Sequence, residues 1–379
     1  MLWTMLFSFP LMVCVQLICA RIGRVTGGGI AANLRRYFPA KVLFPIVGLL
    51  LLANTINIAA DLGAMGSALQ LLIGGPAIAY TVAFAMVSLL LQVFVPYHRY
   101  VKILKWLCLA LFAYVAVVFS VDIPWREVAA RTLLPHLSFK SEYITAVVAI
   151  FGTTISPYLF FWQASQEVEE EAAAGEEPLI AAPQQALAQF SRIGTDTYIG
   201  MGMSNVVAFF IILTTAVTLH AHGVKNIATA AQAAMALRPI AGKFAFSLFS
   251  LGIIGTGLLA IPVLAGSAAY GVAEAMQWKF GMERRLADAT RFYGVIAAAV
   301  LIGLVLNFTG VDPIRALFWT AVINGVVAVP LIVVIMLMAS RARVMRQFVI
   351  PGYLKWGGWI TAAFMTASAV AMFALWPHP

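Results

Sequence analysis

A succession of apolar runs, each about as long as a bilayer is thick and separated by short polar loops, dictates what this chain can become. An α-helix needs roughly 20 apolar residues to cross the hydrocarbon. Such runs cover residues 2–20, 42–73, 76–95, 104–121, 144–164, 198–220, 244–275, 293–308, 314–338 and 356–375. The spacing predicts about ten spans in a single transmembrane domain over 1–379. The fold class expected is all-α, a polytopic transmembrane helix bundle. Two of the runs exceed a span and are expected to tilt or to run past the membrane. Composition agrees: 62% of residues are hydrophobic and 10% charged, where a soluble domain carries about 25% charged residues. Residues 1–20 resemble a secretory signal, but no basic residue precedes the apolar stretch and it fills a whole span, so a true helix is the better reading.

Several function classes fall away. No phosphate-binding loop, dinucleotide turn or Ser/His/Asp arrangement occurs, and no loop can hold a nucleotide-hydrolysing domain, so an enzyme or an ATP-driven pump is not expected. Cys14, Cys19 and Cys108 lie inside apolar runs without paired spacing, which removes disulfide and zinc frameworks. The net charge of +9 sits in short loops and signals topology rather than nucleic-acid binding. Loops 21–41, 97–105, 165–192, 277–291 and 341–355 hold 17 of the 24 basic residues. The positive-inside rule places these loops in the cytoplasm and both chain ends outside. A multi-pass protein of the bacterial inner membrane is the expectation. An outside start directly on a hydrophobic helix further suggests a preceding span that this sequence lacks.

Two loops carry unusual residues. The 165–192 segment opens with Glu167, Glu169, Glu170, Glu171, Glu176 and Glu177. It reads as an acidic, solvated, flexible cytoplasmic loop, or as a vestibule that attracts cations. His220 and His222 could capture a metal, though two histidines alone are a weak signal.

The chemistry concentrates in two stretches. Between Ala149 and Gln163, Gly152 and Pro157 interrupt a span, with Thr153, Thr154 and Ser156 between them. Proline lacks the N–H and clashes with the carbonyl four residues back, and lipid offers the freed carbonyls no partner. A cation can supply one, as discontinuous helices do in secondary transporters; a kink whose hydroxyls bond their own backbone is the equal alternative. Asn54, Asn57 and Asp61 share one helix face. A carboxylate in a span marks an ion or proton pathway, or a hub for helix packing. Thr320, Asn324 and Asn307 are further intramembrane polar groups, with Asn324 a candidate cavity residue. Asp312-Pro313 reads as a helix start with a capping Asp. Arg284, Arg285 and Arg291 read as topology anchors, with a proton exit as the alternative.

These pieces resemble the Nramp family of divalent-metal transporters. Ala20-Arg-Ile-Gly-Arg-Val-Thr-Gly27 is similar to the loop after the family's second helix, Ala60-Asp61-Leu62 to its Thr-Asp-Leu in the third, and Gly152-Thr-Thr-Ile-Ser-Pro-Tyr158 to the break in its sixth. The resemblance implies the inverted-repeat fold of the sodium-coupled amino-acid transporters and a chain that begins at the family's second helix. The missing member would carry an Asp-Pro-Gly-Asn type metal motif. It implies Thr153 and Ser156 as metal ligands, where the family offers an alanine carbonyl and a methionine sulfur. Oxygen in place of sulfur favours harder ions such as Mg²⁺ and Mn²⁺. This looks like the divergent bacterial Nramp-related branch, where magnesium transport is known. The family's histidine is Tyr158 here, and its glutamate after the third-helix Asp is Ala64; both belong to proton handling in the family, so their replacement argues against strict proton coupling and leaves Asp61 as the main titratable candidate. The expected function is alternating-access transport of divalent cations (Mn²⁺, Mg²⁺ or Fe²⁺ class, harder ions favoured), with coupling to protons left open. Asp61, Asn54, Asn57, Tyr158 and Asn324 would form the ion and proton pathway. No cofactor is expected, the metal being cargo; the lipid bilayer is the surrounding partner, and nothing marks a nucleic-acid or protein partner. Transport of amino acids or other organic solutes on the same fold stays open, as does an inactive fragment lacking half the ion site.

Overall fold

The computed structural model describes residues 1–95, 99, 102, 106, 108–135, 137–220, 227 and 229–376. Among them the architecture is helical throughout. Helix α1 runs Trp3–Thr26, α2 Ile30–Tyr37, α3 Ala40–Ile73 and α4 Ala77–Phe94. Helices α5 (Ser141–Thr154) and α6 (Pro157–Ala174) are two halves of one interrupted rod. Then follow α7 (Ala186–Thr218), α8 (Ala245–Met276), α9 (Thr290–Leu306), α10 (Pro313–Ala339) and α11 (Gly352–Ala374). With α5–α6 counted once, nine helices among the described residues are long and apolar enough to cross a membrane. Nine of the ten expected spans thus coincide with helices.

The tenth, 104–121, lies partly outside the described residues; its described part includes a 3₁₀ turn, Cys108–Phe112, and the short helix Ala113–Val117. The expected His220–His222 pair also lies outside, since residues 221–226 are not described.

Local chemistry explains the helix ends. Asp312 accepts the N–H groups of Ile314 (3.0 Å) and Arg315 (3.1 Å), and Pro313 opens the helix, so the capping reading of Asp312-Pro313 holds. The 34 residues of α3 reach about 50 Å at 1.5 Å per residue, well past the hydrocarbon thickness.

The 165–192 segment departs from the expected flexible loop. Helix α6 continues to Ala174, where Gly175 ends it in a left-handed turn (φ 66°). Leu179 N–H and Ile180 N–H then bond back to the carbonyls of Arg24 and Val25. The acidic residues face cations and hydroxyls of neighbouring helices, so charge pairing orders what composition alone would leave solvated.

Among the five apolar clusters of the described residues, the two largest hold the break. One joins α1, the α5–α6 region, α10, α11 and the first half of α3. The other joins the second half of α3 with α4, α8 and α9. Tyr158, at the start of α6, packs against both. The helix break therefore sits on the seam between the cores.

Candidate ion site at the helix break

Pro157 creates the break. It takes the first position of α6, where its missing N–H costs nothing, and forces Ser156 into an extended conformation (φ −85°, ψ 134°). Ile155 also leaves the helical region (φ −110°, ψ 64°). The carbonyls released at the end of α5 are served locally. Ser156 Oγ–H lies within bonding distance of the carbonyls of Gly152 (2.8 Å) and Thr153 (2.7 Å). Thr154 Oγ1–H is shared by those of Ile150 (3.1 Å) and Phe151 (3.2 Å). The local kink chemistry is thus present. It still leaves lone pairs: each carbonyl keeps a second one, and Ser156 Oγ, having donated its proton, keeps its own. Because Ser156 turns back toward α5, it gives α6 no side-chain cap. The negative end of α5 and the positive end of α6 meet at this point.

The break is pressed against α10 by two glycines. A Cβ on Gly152 would stand 2.0 Å from Ala321 O and 2.4 Å from Gly325 N. One on Gly325 would stand 2.6 Å from Val148 O. Only glycine permits this backbone approach. It brings Asn324, next to Gly325, beside the break.

Asn324 then reaches α3. Asn57 Nδ2 donates to Asn324 Oδ1 at 2.9 Å and Asn324 Nδ2 donates to Asn57 Oδ1 at 3.1 Å, a reciprocal amide pair. Asp61, one turn further along α3, is half-buried and lines a cavity of about 160 Å³ with Ala64, Ile253, Thr256, Gly257, Ala260 and Leu317. No hydrogen bond or ion pair engages its carboxylate among the described residues. Asn324 and Asn57 thus bridge α10 and α3 beside the break, with Asp61 one turn further along α3, while Thr153 is exposed. Asn54 faces elsewhere. Its Nδ2 donates to Leu264 O (2.8 Å) and Ser267 Oγ (2.6 Å), bracing α3 against α8. Asn307 likewise ties α9 to Ala59 O (2.9 Å), and Thr320 bonds its own helix at Leu317 O (2.8 Å). No group of three His, Cys, Asp or Glu side chains gathers among the described residues. An ion held here would meet mainly neutral oxygens and a single carboxylate.

The acidic segment is ordered rather than flexible, with Glu167 and Glu171 buried and Glu170 and Glu177 exposed. Arg24, 1% exposed on α1, pairs with Glu171 (3.4 Å) and Glu176, and donates to Gln185 (3.3 Å). Arg192 pairs with Glu167 (2.5 Å) and Glu170 (3.0 Å). Glu169 accepts Tyr270 Oη–H (2.6 Å) and the N–H of Met282 (2.9 Å). Five carboxylates thus lock the basic end of the bundle. Composition could not reveal this, but the helical spacing of Glu167 and Glu171 offered a hint, since i and i+4 share a face.

A sequence model of the Nramp family, described as natural resistance-associated macrophage protein-like, matches residues 1–375. The chain belongs to the Nramp family. Among curated relatives, the divalent metal cation transporter MntH of Acidiphilium cryptum (strain JF-5) is 27% identical over 354 residues, covering 90% of this chain and 76% of that protein. The MntH of Klebsiella pneumoniae (strain ATCC 700721 / MGH 78578) is 23% identical over 378 residues, covering 97% and 84%. Among solved structures, the Eremococcus coleocola manganese transporter, in complex with an aromatic bis-isothiourea compound, superposes with a TM-score of 0.76 at 17% identity, over 99% of this chain and 80% of that one. Mhp1, a nucleobase-cation-symport-1 family transporter, gives 0.54 at 16% identity, over 98% and 86%. These likenesses establish the fold as the inverted-repeat transporter bundle. This Nramp-family chain is accordingly an integral multi-pass membrane transporter, not an enzyme.

Proposed function

We propose that this chain is a secondary transporter of divalent metal cations that works by alternating access and favours harder ions of the Mg²⁺ and Mn²⁺ class. The observation that carries the reading is an interrupted helix pressed through Gly152 against Gly325 on α10, whose neighbour Asn324 pairs with Asn57, with Asp61 one turn beyond. The Thr153 carbonyl and Ser156 Oγ would take part of a partly hydrated ion's shell. Asn57 and Asn324 would hold its waters, Asp61 would balance the charge or carry a proton, and Tyr158 would close the seam. Hard cations prefer oxygen, and no sulfur is offered at Thr153 or Ser156. The basic end faces the cytoplasm of a bacterial inner membrane in this reading.

Uptake by proteoliposomes, with Mg²⁺ and Mn²⁺ compared against Cd²⁺, tests it. Saturable uptake of the hard ions is expected; Cd²⁺ outcompeting both would overturn the selectivity. Ser156→Met should raise Cd²⁺ competition, and an unchanged profile removes Ser156 from the ion's contacts. The side-chain-uncapped start of α6 supports a second reading, since its positive end could hold a substrate carboxylate. Saturable amino-acid uptake without metal would establish that reading instead.

A further inference from the structure

Helix α8 carries one charged residue in 32, Glu274, two positions before its last residue, Met276. It is 3% exposed. Among the described residues no cation pairs with it. Its partners are neutral. Oε2 accepts the N–H of Ala32 at 3.0 Å, and Oε1 accepts Ser165 Oγ–H at 2.9 Å. A buried carboxylate without a counter-ion needs compensation, and the start of α2 supplies it. The N-cap of α2 is Gly29, which has no side chain to cap its own helix. The cap comes instead from Glu274, 245 positions later in sequence.

Gly29 is shaped for this guest. Its backbone (φ −69°, ψ −175°) is ordinary extended chain that any residue adopts, so torsion does not require glycine there. Space does: a Cβ would stand 2.0 Å from Oε1 of Glu274 and 2.6 Å from its carboxyl carbon. Beside it, Arg35 on α2 donates to the carbonyl of Ala275, and Asn33 Nδ2 ties α2 to Thr26 Oγ1 (2.8 Å) and Gly28 O (2.7 Å). One carboxylate therefore joins three elements: α2, which links α1 to α3; α6, through Ser165; and α8. Ser165 lies nine residues past Ser156 on a continuous helix, about 13 Å along its axis. Any movement of the break along α6 is felt at Glu274. The cavity at Asp61 lies in the opposite half of α8, at Ile253 to Ala260, so the two ends of α8 differ: one opens on a cavity and the other is bolted.

We propose that Glu274 is a positioning residue for transport: seated against Gly29, it latches α6 to α2 and α8 and holds the cytoplasmic exit shut, and the exit opens when the Ser165–Glu274–Ala32 bridge parts. This rests on the alternating-access reading above. The test is thiol accessibility in the full chain, in a background of Cys14→Ser, Cys19→Ala and Cys108→Ser, with Thr154→Cys at the break as reporter. A membrane-impermeant maleimide is applied to inside-out and right-side-out vesicles. Glu274→Ala and Gly29→Ala should each speed labelling from the cytoplasmic side by about tenfold, the shift produced when the closed state alone loses a hydrogen bond to a charged acceptor. Glu274→Gln, which keeps an acceptor for Ala32, should fall between them and the parent. Labelling of a folded Glu274→Ala protein at the parent rate overturns the latch. Should that variant fail to fold, Ser165→Ala decides, because it deletes one hydroxyl and leaves the seat intact; a rate equal to the parent's overturns the proposal. The readout needs no metal, so absent metal uptake in the parent would sink the proposed cargo while leaving the latch result standing. A rise confined to right-side-out vesicles would reverse the membrane orientation and so overturn the cytoplasmic assignment of the exit.

Discussion

Replacing Gly152 with alanine tests whether backbone contact with α10 holds the break in place. The new Cβ would meet Ala321 O at 2.0 Å, Gly325 N at 2.4 Å and Gly325 Cα at 2.8 Å. All three are backbone atoms, so no side chain can swing aside. Restoring an ordinary contact of 3.4 Å to Ala321 O requires the helices to part by about 1.4 Å, from 2.0 to 3.4 Å. Overpacking of this kind costs about 1–3 kcal/mol, and the displacement falls on the carbonyls beside the candidate ion. Gly325→Ala meets Val148 O at 2.6 Å, needs only about 0.8 Å of relief, and should be milder. Gly294, in α9, has nothing within 4 Å of its added Cβ and serves as the neutral control. Thermal unfolding in detergent should rank the variants with Gly152→Ala lowest, Gly325→Ala between, and Gly294→Ala level with the parent. Metal uptake in liposomes should fall in the same order. A Gly152→Ala protein as stable and as active as Gly294→Ala would refute the close-contact argument, and with it the claim that α10 sets the geometry of the break.

Other outcomes follow from the same structure. Arg24→Ala strands Glu171 and Glu176 at the basic end and should cost about 3–5 kcal/mol, because a buried carboxylate loses its cation; Glu171→Gln in the same chain should restore part of the thermal midpoint, and no restoration would show that the pair is not coupled. A double-mutant cycle of Asn57→Ala and Asn324→Ala should show a coupling of about 0.6–1.7 kcal/mol in unfolding from mixed micelles, whereas strict additivity would mean that the amide pair is not formed. Asp61→Asn should bring metal uptake to background without lowering the thermal midpoint, since no partner of the carboxylate is lost among the described residues; retained uptake would remove Asp61 from the pathway.

Much of this protein was legible in its sequence. Long apolar runs can only be spans, because lipid supplies no backbone partners, and nine of the ten expected became helices. Pro157 announced the break, since proline's missing N–H and ring clash act wherever proline sits; Gly152, expected to interrupt the span as well, stays helical within α5 and instead admits the backbone of α10. The Asp312-Pro313 cap was equally local. Each of these depends on residues close together in the chain, so tertiary structure could confirm but not create them.

What the tertiary structure alone decided involves partners far apart in sequence. Asn54 and Asn57 share a helix face, yet Asn54 turns to Ser267 on α8 and Asn57 to Asn324 on α10, and no periodicity in α3 distinguishes the two. The acidic run after residue 165 looked like solvated charge. It became an ordered bolt because Arg24 lies 147 positions before Glu171 and still meets it in the fold. The single carboxylate of α8 is the clearest case. Sequence shows only a charge near a helix end, where water ordinarily solvates it. The fold supplies a glycine without a Cβ, an uncapped helix start and a hydroxyl, all on other elements, and these together make burial of that charge physically affordable.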